Sequence, residues 1–309
     1  MTDFSFAADD YLVTRRAMGY KLGEQGRLLR QFIAYLEDQG AEHLTIADAV
    51  SWATQPLDGA MTWWAFRLGV VLHVARYLSA LDPATEVPPA GLFPEPSHRI
   101  VPYIYSDDDL ERVLDAAGRL QPAHRADTYR TLISLVTVTG MRVGEAVRLD
   151  RDDVDLDEGL LMIRNSKFNK SRQVPVHPST VVAMRAYADR RDRQRPKPKA
   201  PSFFTSTTGT RLLRDNVSTV FPRLVREAGL GRGASGRLPR MHDLRHTFAV
   251  KCVIGWYQAG VDVDPRLPLL STFLGHVSPR ETYWYLTGVP ELLELVVDRM
   301  DSAPAGTTR

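Results

Sequence analysis

The chain has 309 residues, which predicts about two domains, and its 44% hydrophobic and 25% charged residues exclude disordered, collagen-like and low-complexity classes. A net charge of +2 is too small to point to nucleic acid by itself, and no apolar run reaches the ~18 residues of a membrane span, so no membrane partner is expected. The single cysteine, Cys252, rules out an internal disulfide and points to a reducing cytoplasm, while the first ten residues, with three aspartates and no basic side chain, have the wrong pattern for a targeting peptide.

In chain order, residues 25–36 place Leu28, Leu29, Phe32, Ile33 and Leu36 at helical spacing and stop at Gly40. Thr45 caps a short helix running to Trp52, and residues 61–81 form a long apolar one. Six prolines between positions 83 and 102 then interrupt any helix and predict an extended linker. Ser106 followed by three aspartates is a helix start, because the hydroxyl and the acids satisfy amides at the positive end. Helices are expected over residues 107–119 and 123–139. A β-hairpin follows, with strands at 160–164 and 173–177 around a polar tip at 165–171. Further helices are expected at 179–195, at 214–228 with a disturbance at Pro222, at 242–259 and at 267–274. A short one near Tyr283 and one over 290–300 complete the chain. The resulting division is a helical unit over residues 1–82, a linker over 83–102, a larger unit over 103–302 and a flexible tail over 303–309.

Charge is unevenly spread. Residues 1–101 hold 8 basic and 12 acidic side chains, whereas residues 211–245 hold 8 basic and 3 acidic, interleaved with glycines. The second stretch is a candidate polyanion-binding surface. Residues 185–199, with 7 basic and 2 acidic side chains, read better as a solvated face and linker.

Four segments carry the side chains that could do chemistry. They are Thr139-Gly140-Met141-Arg142-Val143-Gly144-Glu145, Ser166-Lys167-Phe168-Asn169-Lys170, His242-Asp243-Leu244-Arg245-His246, and Leu274-Gly275-His276 with Tyr285 nine residues later. Each has an ordinary explanation taken singly. Arg142 and Glu145 have the spacing of a surface ion pair, Lys167 that of a solvated hairpin residue, His276 that of a helix-end residue and Tyr285 that of a core aromatic.

As an ordered set, the arginine turn, hairpin lysine, HxLRH, LGH and tyrosine resemble the tyrosine recombinase, or phage integrase, family. The resemblance covers most of residues 106–300, and the preceding helical segment is similar to that family's core-binding domain. It implies a mainly α fold, with an N-terminal helical core-binding domain and a mainly helical catalytic domain holding a small antiparallel β-sheet. It also implies a site-specific DNA recombinase in which Tyr285 attacks the scissile phosphorus, forms a 3′-phosphotyrosyl link and frees a 5′ hydroxyl. The resemblance also implies the partners of that tyrosine, and elementary chemistry supports them. Guanidinium groups stay charged and grip two oxygens at once, so Arg142 and Arg245 form the phosphate clamp. His242 is the proton acceptor for a phenol whose pKa near 10 makes it a poor nucleophile. Lys167, in the family's hairpin position, protonates the leaving 5′ oxygen, and His276 donates to a nonbridging oxygen. Glu145 orients Arg142, and His246 matches the pattern in a supporting role. Tyr283, two residues away, competes with Tyr285 for the nucleophile's place, and Lys170 competes with Lys167.

A covalent intermediate keeps the energy of the broken bond, so no cofactor, ATP or metal is expected. The expected partner is double-stranded DNA at a specific recombination site, bound by a homotetramer with possible accessory recombination proteins. Residues 290–300 are read as a helix packing neighbouring protomers. Integration, transposition and chromosome maintenance all fall within the reading. Type IB topoisomerase-like relaxation and a non-catalytic DNA-binding protein are the alternatives. A zinc hydrolase built on His242 and His246, four apart on a helix, is disfavoured because Asp243 replaces the usual glutamate and Arg245 would sit beside the cation.

Overall fold

Side-chain periodicity and caps account for most of the elements in this computed structural model, which describes residues 3–93, 101–164 and 171–276. The hairpin tip with Lys167 and Lys170, the expected helices near Tyr283 and over 290–300, Tyr285 itself and the tail lie outside the described residues. The chain divides into two units, Met1–Arg99 and Ile100–Arg309.

The first unit has four helices, α1 (Phe4–Ala17), α2 (Gly23–Asp38), α3 (Ile46–Thr54) and α4 (Met61–Leu78). Leu28, Leu29, Phe32 and Leu36 of α2 are buried with Trp52, Val71, Val74 and Leu78, as the 3.6-residue spacing requires. Thr45 accepts a hydrogen bond from the Asp48 amide at 3.1 Å and so caps α3 as predicted. Helix α1 is absent from the sequence reading, for a physical reason. Its buried face is Phe4, Ala7, Ala8 and Leu12, too poor in large side chains to stand out, and its start depends on Asp3 accepting from the Phe6 amide. The long apolar helix ends at Leu78, three residues before the expected Leu81.

The second unit begins with α5 (Asp107–Gly118), where Ser106 and Asp109 form the reciprocal cap that the sequence announces. Helix α6 (Ala123–Thr139) is buried on nearly every side and packs against α5, α8 (Pro178–Gln194) and α10 (Met241–Gln258). Between them lie the short α7 (Val143–Ala146) and a three-stranded antiparallel sheet of β1 (Val154–Asp155), β2 (Leu160–Ile163) and β3 (Arg172–Pro175). The predicted hairpin is β2–β3, with Leu161 opposite Val174 and Ile163 opposite Arg172. Strand β1 is too short for an alternating pattern to reveal. Helices α9 (Arg214–Glu227) and α11 (Leu267–Leu274) complete the unit, and α9 continues through Pro222 rather than breaking there. The chain is thus mainly helical with a small antiparallel sheet. Among the described residues no helix is long and apolar enough to cross a membrane.

Candidate active site

The site is built on the turn that ends α11. Gly275 has a left-handed backbone, φ +70°, the conformation in which a glycine closes a helix without a Cβ penalty. Its amide reaches the Thr272 carbonyl and the His276 amide reaches the Ser271 carbonyl, each at 2.9 Å. This double closure leaves the carbonyls of Phe273, Leu274 and Gly275, which sit at the negative end of the helix. Each is taken by an arginine from a different part of the chain. Arg172 Nε donates to Phe273 O at 2.9 Å, Arg245 Nη2 to Leu274 O at 2.9 Å, and Arg142 Nη1 to Gly275 O at 3.2 Å.

Local sequence explains how the arginines arrive. Gly140 ends α6 with φ +60°, and a Cβ there would lie 2.4 Å from the Phe248 ring and 2.8 Å from Leu274. Only glycine fits, and its carbonyl accepts from Arg245 Nη1 at 2.8 Å. The turn places Arg142 at the start of α7, where the Glu145 carboxylate takes both the Arg142 amide and its Nη1, each at 3.1 Å. Glu145 is 4% exposed, so the pair is not the surface contact its spacing alone allows. Burial would raise the Glu145 pKa, but the hydrogen bond and charge of Arg172, then the contacts of Arg142, outweigh it and hold the carboxyl below its ordinary range.

Helix α10 carries the HxLRH set. Arg240 and Asp243 cap its start, with Nη2–Oδ1 at 2.8 Å. Arg245 is 1% exposed and its guanidinium is committed inside the protein, whereas the Arg142 side chain is 28% exposed and is the one solvent reaches. The rings of His242 and His246 meet edge to face at 4.9 Å. Among the described residues no group of three or more His, Cys, Asp or Glu side chains is placed to hold a metal ion.

The three histidines share one electrostatic setting. Desolvation first, then Arg245 with smaller contributions from Arg240 and Arg142, pushes His242 down to about 4. Desolvation, His242 and the nearby guanidinium groups push His246 down to about 3. Desolvation followed by Arg245, Arg142 and Arg172 does the same to His276, also to about 3. His242 is solvent-exposed, so water screens part of its shift, and the direction is what counts: all three rings are neutral at pH 7. Each folded pKa lies below the unfolded value of about 6.5, so the unfolded chain binds protons first as pH falls. We therefore expect stability against urea to be full above about pH 6.5 and to decline as pH falls from there toward 3. A stability that is flat between pH 6.5 and 4.5 would contradict this account.

The structure thus brings together Arg142, Glu145, His242, Arg245, His246 and His276, while Lys167 and Tyr285 lie outside the described residues. It adds Arg172, which the sequence reading did not single out. The signal was available, since Arg172 shares a strand face with buried Val174, and a cation in core register needs a buried partner. The basic stretch over 211–245 is divided in its use. Arg211 pairs with Asp150, and Arg240 and Arg245 serve as described, while Arg214, Arg226 and Arg237 are exposed. The stretch over 185–199 is more structural than a solvated face, because Arg191 is 3% exposed and donates to Phe203 O at 2.6 Å.

Comparison with known proteins gives the family and the fold. Residues 105–289 match the model of the phage integrase family. The chain belongs to that family of tyrosine recombinases. It is 42% identical over 308 residues to "Putative integrase/recombinase y4rB" of Sinorhizobium fredii (strain NBRC 101917 / NGR234), covering 97% of this chain and 98% of the relative. It is 29% identical to the tyrosine recombinase XerD of Mycobacterium tuberculosis (strain ATCC 25618 / H37Rv), over 90% of each chain. The fold of this recombinase is similar to that of the Tn1549 transposon integrase in complex with transposon right end DNA, with TM-score 0.64, 16% identity, and coverage of 97% of this chain and 99% of that one. It is also similar to lambda integrase in a tetramer bound to a Holliday junction, with TM-score 0.62, 18% identity, and coverage of 92% and 76%.

Proposed function

We propose that this recombinase breaks and rejoins double-stranded DNA at a specific site, with Tyr285 as the nucleophile. The observation that carries the reading is the convergence of Arg142 and Arg245 on the turn that presents His276, with His242 three residues before Arg245 on the same helix. Fixed cations at that point stabilise a phosphorane-like transition state, because charge building on nonbridging oxygens meets guanidinium groups already held in place. Arg142, the more accessible guanidinium, contacts one oxygen, Arg245 supplies charge from behind the turn, and His276 donates to another oxygen. Neutral His242 accepts the phenolic proton as the Tyr285 oxygen bonds to phosphorus. The bond from phosphorus to the 5′ oxygen breaks, and Lys167 returns a proton to that oxygen. The product is a 3′-phosphotyrosyl link and a free 5′ hydroxyl. Attack by a 5′ hydroxyl from a partner strand then reverses the step without ATP or metal. Glu145 holds Arg142 in place, and His246 supports His242 edge-on.

On the same reading, residues 1–82 are the core-binding domain, 83–102 the linker and 103–302 the catalytic domain. Four protomers assemble on two duplexes in the cytoplasm, with residues 290–300 packing between neighbours. The test uses a duplex bearing the sequence that the full-length protein selects from a randomised DNA pool, nicked beside the cleavage position so that the released fragment diffuses away. A covalent protein–DNA adduct that resists denaturation and forms in excess chelator is expected. Exchange of strands between two intact duplexes that carry the same sequence separates recombination from relaxation of a plasmid that lacks the site. Absence of any adduct would overturn the assignment.

A further inference from the structure

Arg172 stands at the start of β3, 14% exposed at its side chain, and touches two separate parts of the site. Its Nη2 and Nη1 reach Glu145 Oε2 at 2.8 Å and Oε1 at 3.3 Å, and its Nε reaches Phe273 O at 2.9 Å. The same carboxylate holds Arg142, and Phe273 lies three residues before His276. The guanidinium also closely approaches the glycine of the turn, since a Cβ on Gly275 would lie 2.6 Å from Arg172 Nη1 and 2.8 Å from its Cζ. Lys167 is five residues earlier in the sequence. One planar group therefore ties the hairpin to both the Arg142 turn and the His276 turn. Two carboxylate oxygens and a carbonyl oxygen are met at once, a task that suits the forked guanidinium and that a lysine ammonium on its flexible stem does not perform.

We propose that Arg172 is a positioning residue for phosphodiester cleavage, which makes no contact with DNA and sets Arg142, through Glu145, and the His276 turn at the distance the scissile phosphate requires. This rests on the reading of Arg142 as a phosphate contact. Displacement of a charged donor by about 1 Å is enough to slow a reaction on the order of 100-fold, so the effect should appear in cleavage and not in binding.

The test compares full-length wild type, Arg172→Lys, Arg172→Gln and Arg142→Ala on the nicked selected duplex, made with either an ordinary scissile phosphate or a neutral methylphosphonate. The lysine variant keeps the charge and most of the stem, and so carries the test if the glutamine variant does not fold. Both variants at Arg172 are expected to bind DNA within about twofold of wild type and to cleave the phosphodiester about 10- to 100-fold more slowly. On the methylphosphonate, whose lost charge leaves the guanidinium less to balance, the deficit should shrink to about threefold or less. A purely structural role would slow both substrates equally. Wild-type cleavage by Arg172→Lys, or an equal deficit on the two substrates, would overturn the proposal. Arg142→Ala should show the same charge-dependent deficit. If it does not, the phosphate-contact reading falls and takes this proposal with it. If Arg142→Ala shows the pattern and the Arg172 variants do not, only the positioning role is overturned.

Discussion

Replacing Tyr285 with Phe should abolish the covalent adduct on the nicked duplex while leaving DNA affinity within about twofold of wild type. The change removes one oxygen atom and keeps the ring, so the fold and the Arg142, Arg245 and His276 cluster should stay as they are. What is lost is the only atom that can bond to phosphorus at that position, and no general acid or base can compensate for a missing nucleophile. The rate should fall below detection, a loss on the order of 10,000-fold or more. Peptide mapping of the wild-type adduct provides the second half of the measurement, because Tyr283 lies two residues away. An adduct that survives Tyr285→Phe and maps to Tyr283 would move the nucleophile and leave the rest of the site reading in place.

The second large effect is expected at Glu145, and it needs no DNA. The carboxylate is buried against Arg142 and Arg172. In Glu145→Ala two guanidinium groups lose their shared counter-ion, and Arg172, 14% exposed, can recover little of that from water. Removing one partner of a buried ion pair costs about 3–5 kcal/mol. For a unit of this size each kcal/mol moves the melting temperature by about 2–4 °C, so the second unit should melt on the order of 10 °C lower. Glu145→Gln keeps the shape and part of the hydrogen bonding and should fall between the two. A melting temperature for Glu145→Ala within about 2 °C of wild type would show that the ion pairs contribute little and that the site is held by packing alone. Both variants should also cleave more slowly, because Arg142 loses the group that fixes its direction.

Much of this site is legible in the sequence because its chemistry depends on residue type at fixed spacing. Gly140 before Arg142, Arg245 within HxLRH, and Gly275 before His276 are all local patterns, and the structure brings them to one turn. The hairpin and most helices are legible for the same reason, since caps and apolar periodicity are written within a few residues. What the sequence reading lacks is long-range. Helix α1 buries mostly alanines, and β1 consists of two residues held by its pairing with β2. Arg172 looks like any hairpin arginine until Glu145 and Phe273 are seen beside it. The charge of residues 211–245 is only partly legible, because counting arginines does not distinguish those facing solvent from Arg245, which donates to two carbonyls inside the fold.

The three arginines that close the end of α11 come from stretches of chain more than a hundred residues apart at the extremes. On the proposed mechanism, that arrangement makes strand breakage a property of the finished molecule. A nascent chain, or a fragment cut between these stretches, lacks at least one of the cations that shape the histidine turn, and on the proposed mechanism it is unable to sever DNA. For a DNA recombinase, this geometry ties activity to complete assembly of the second unit.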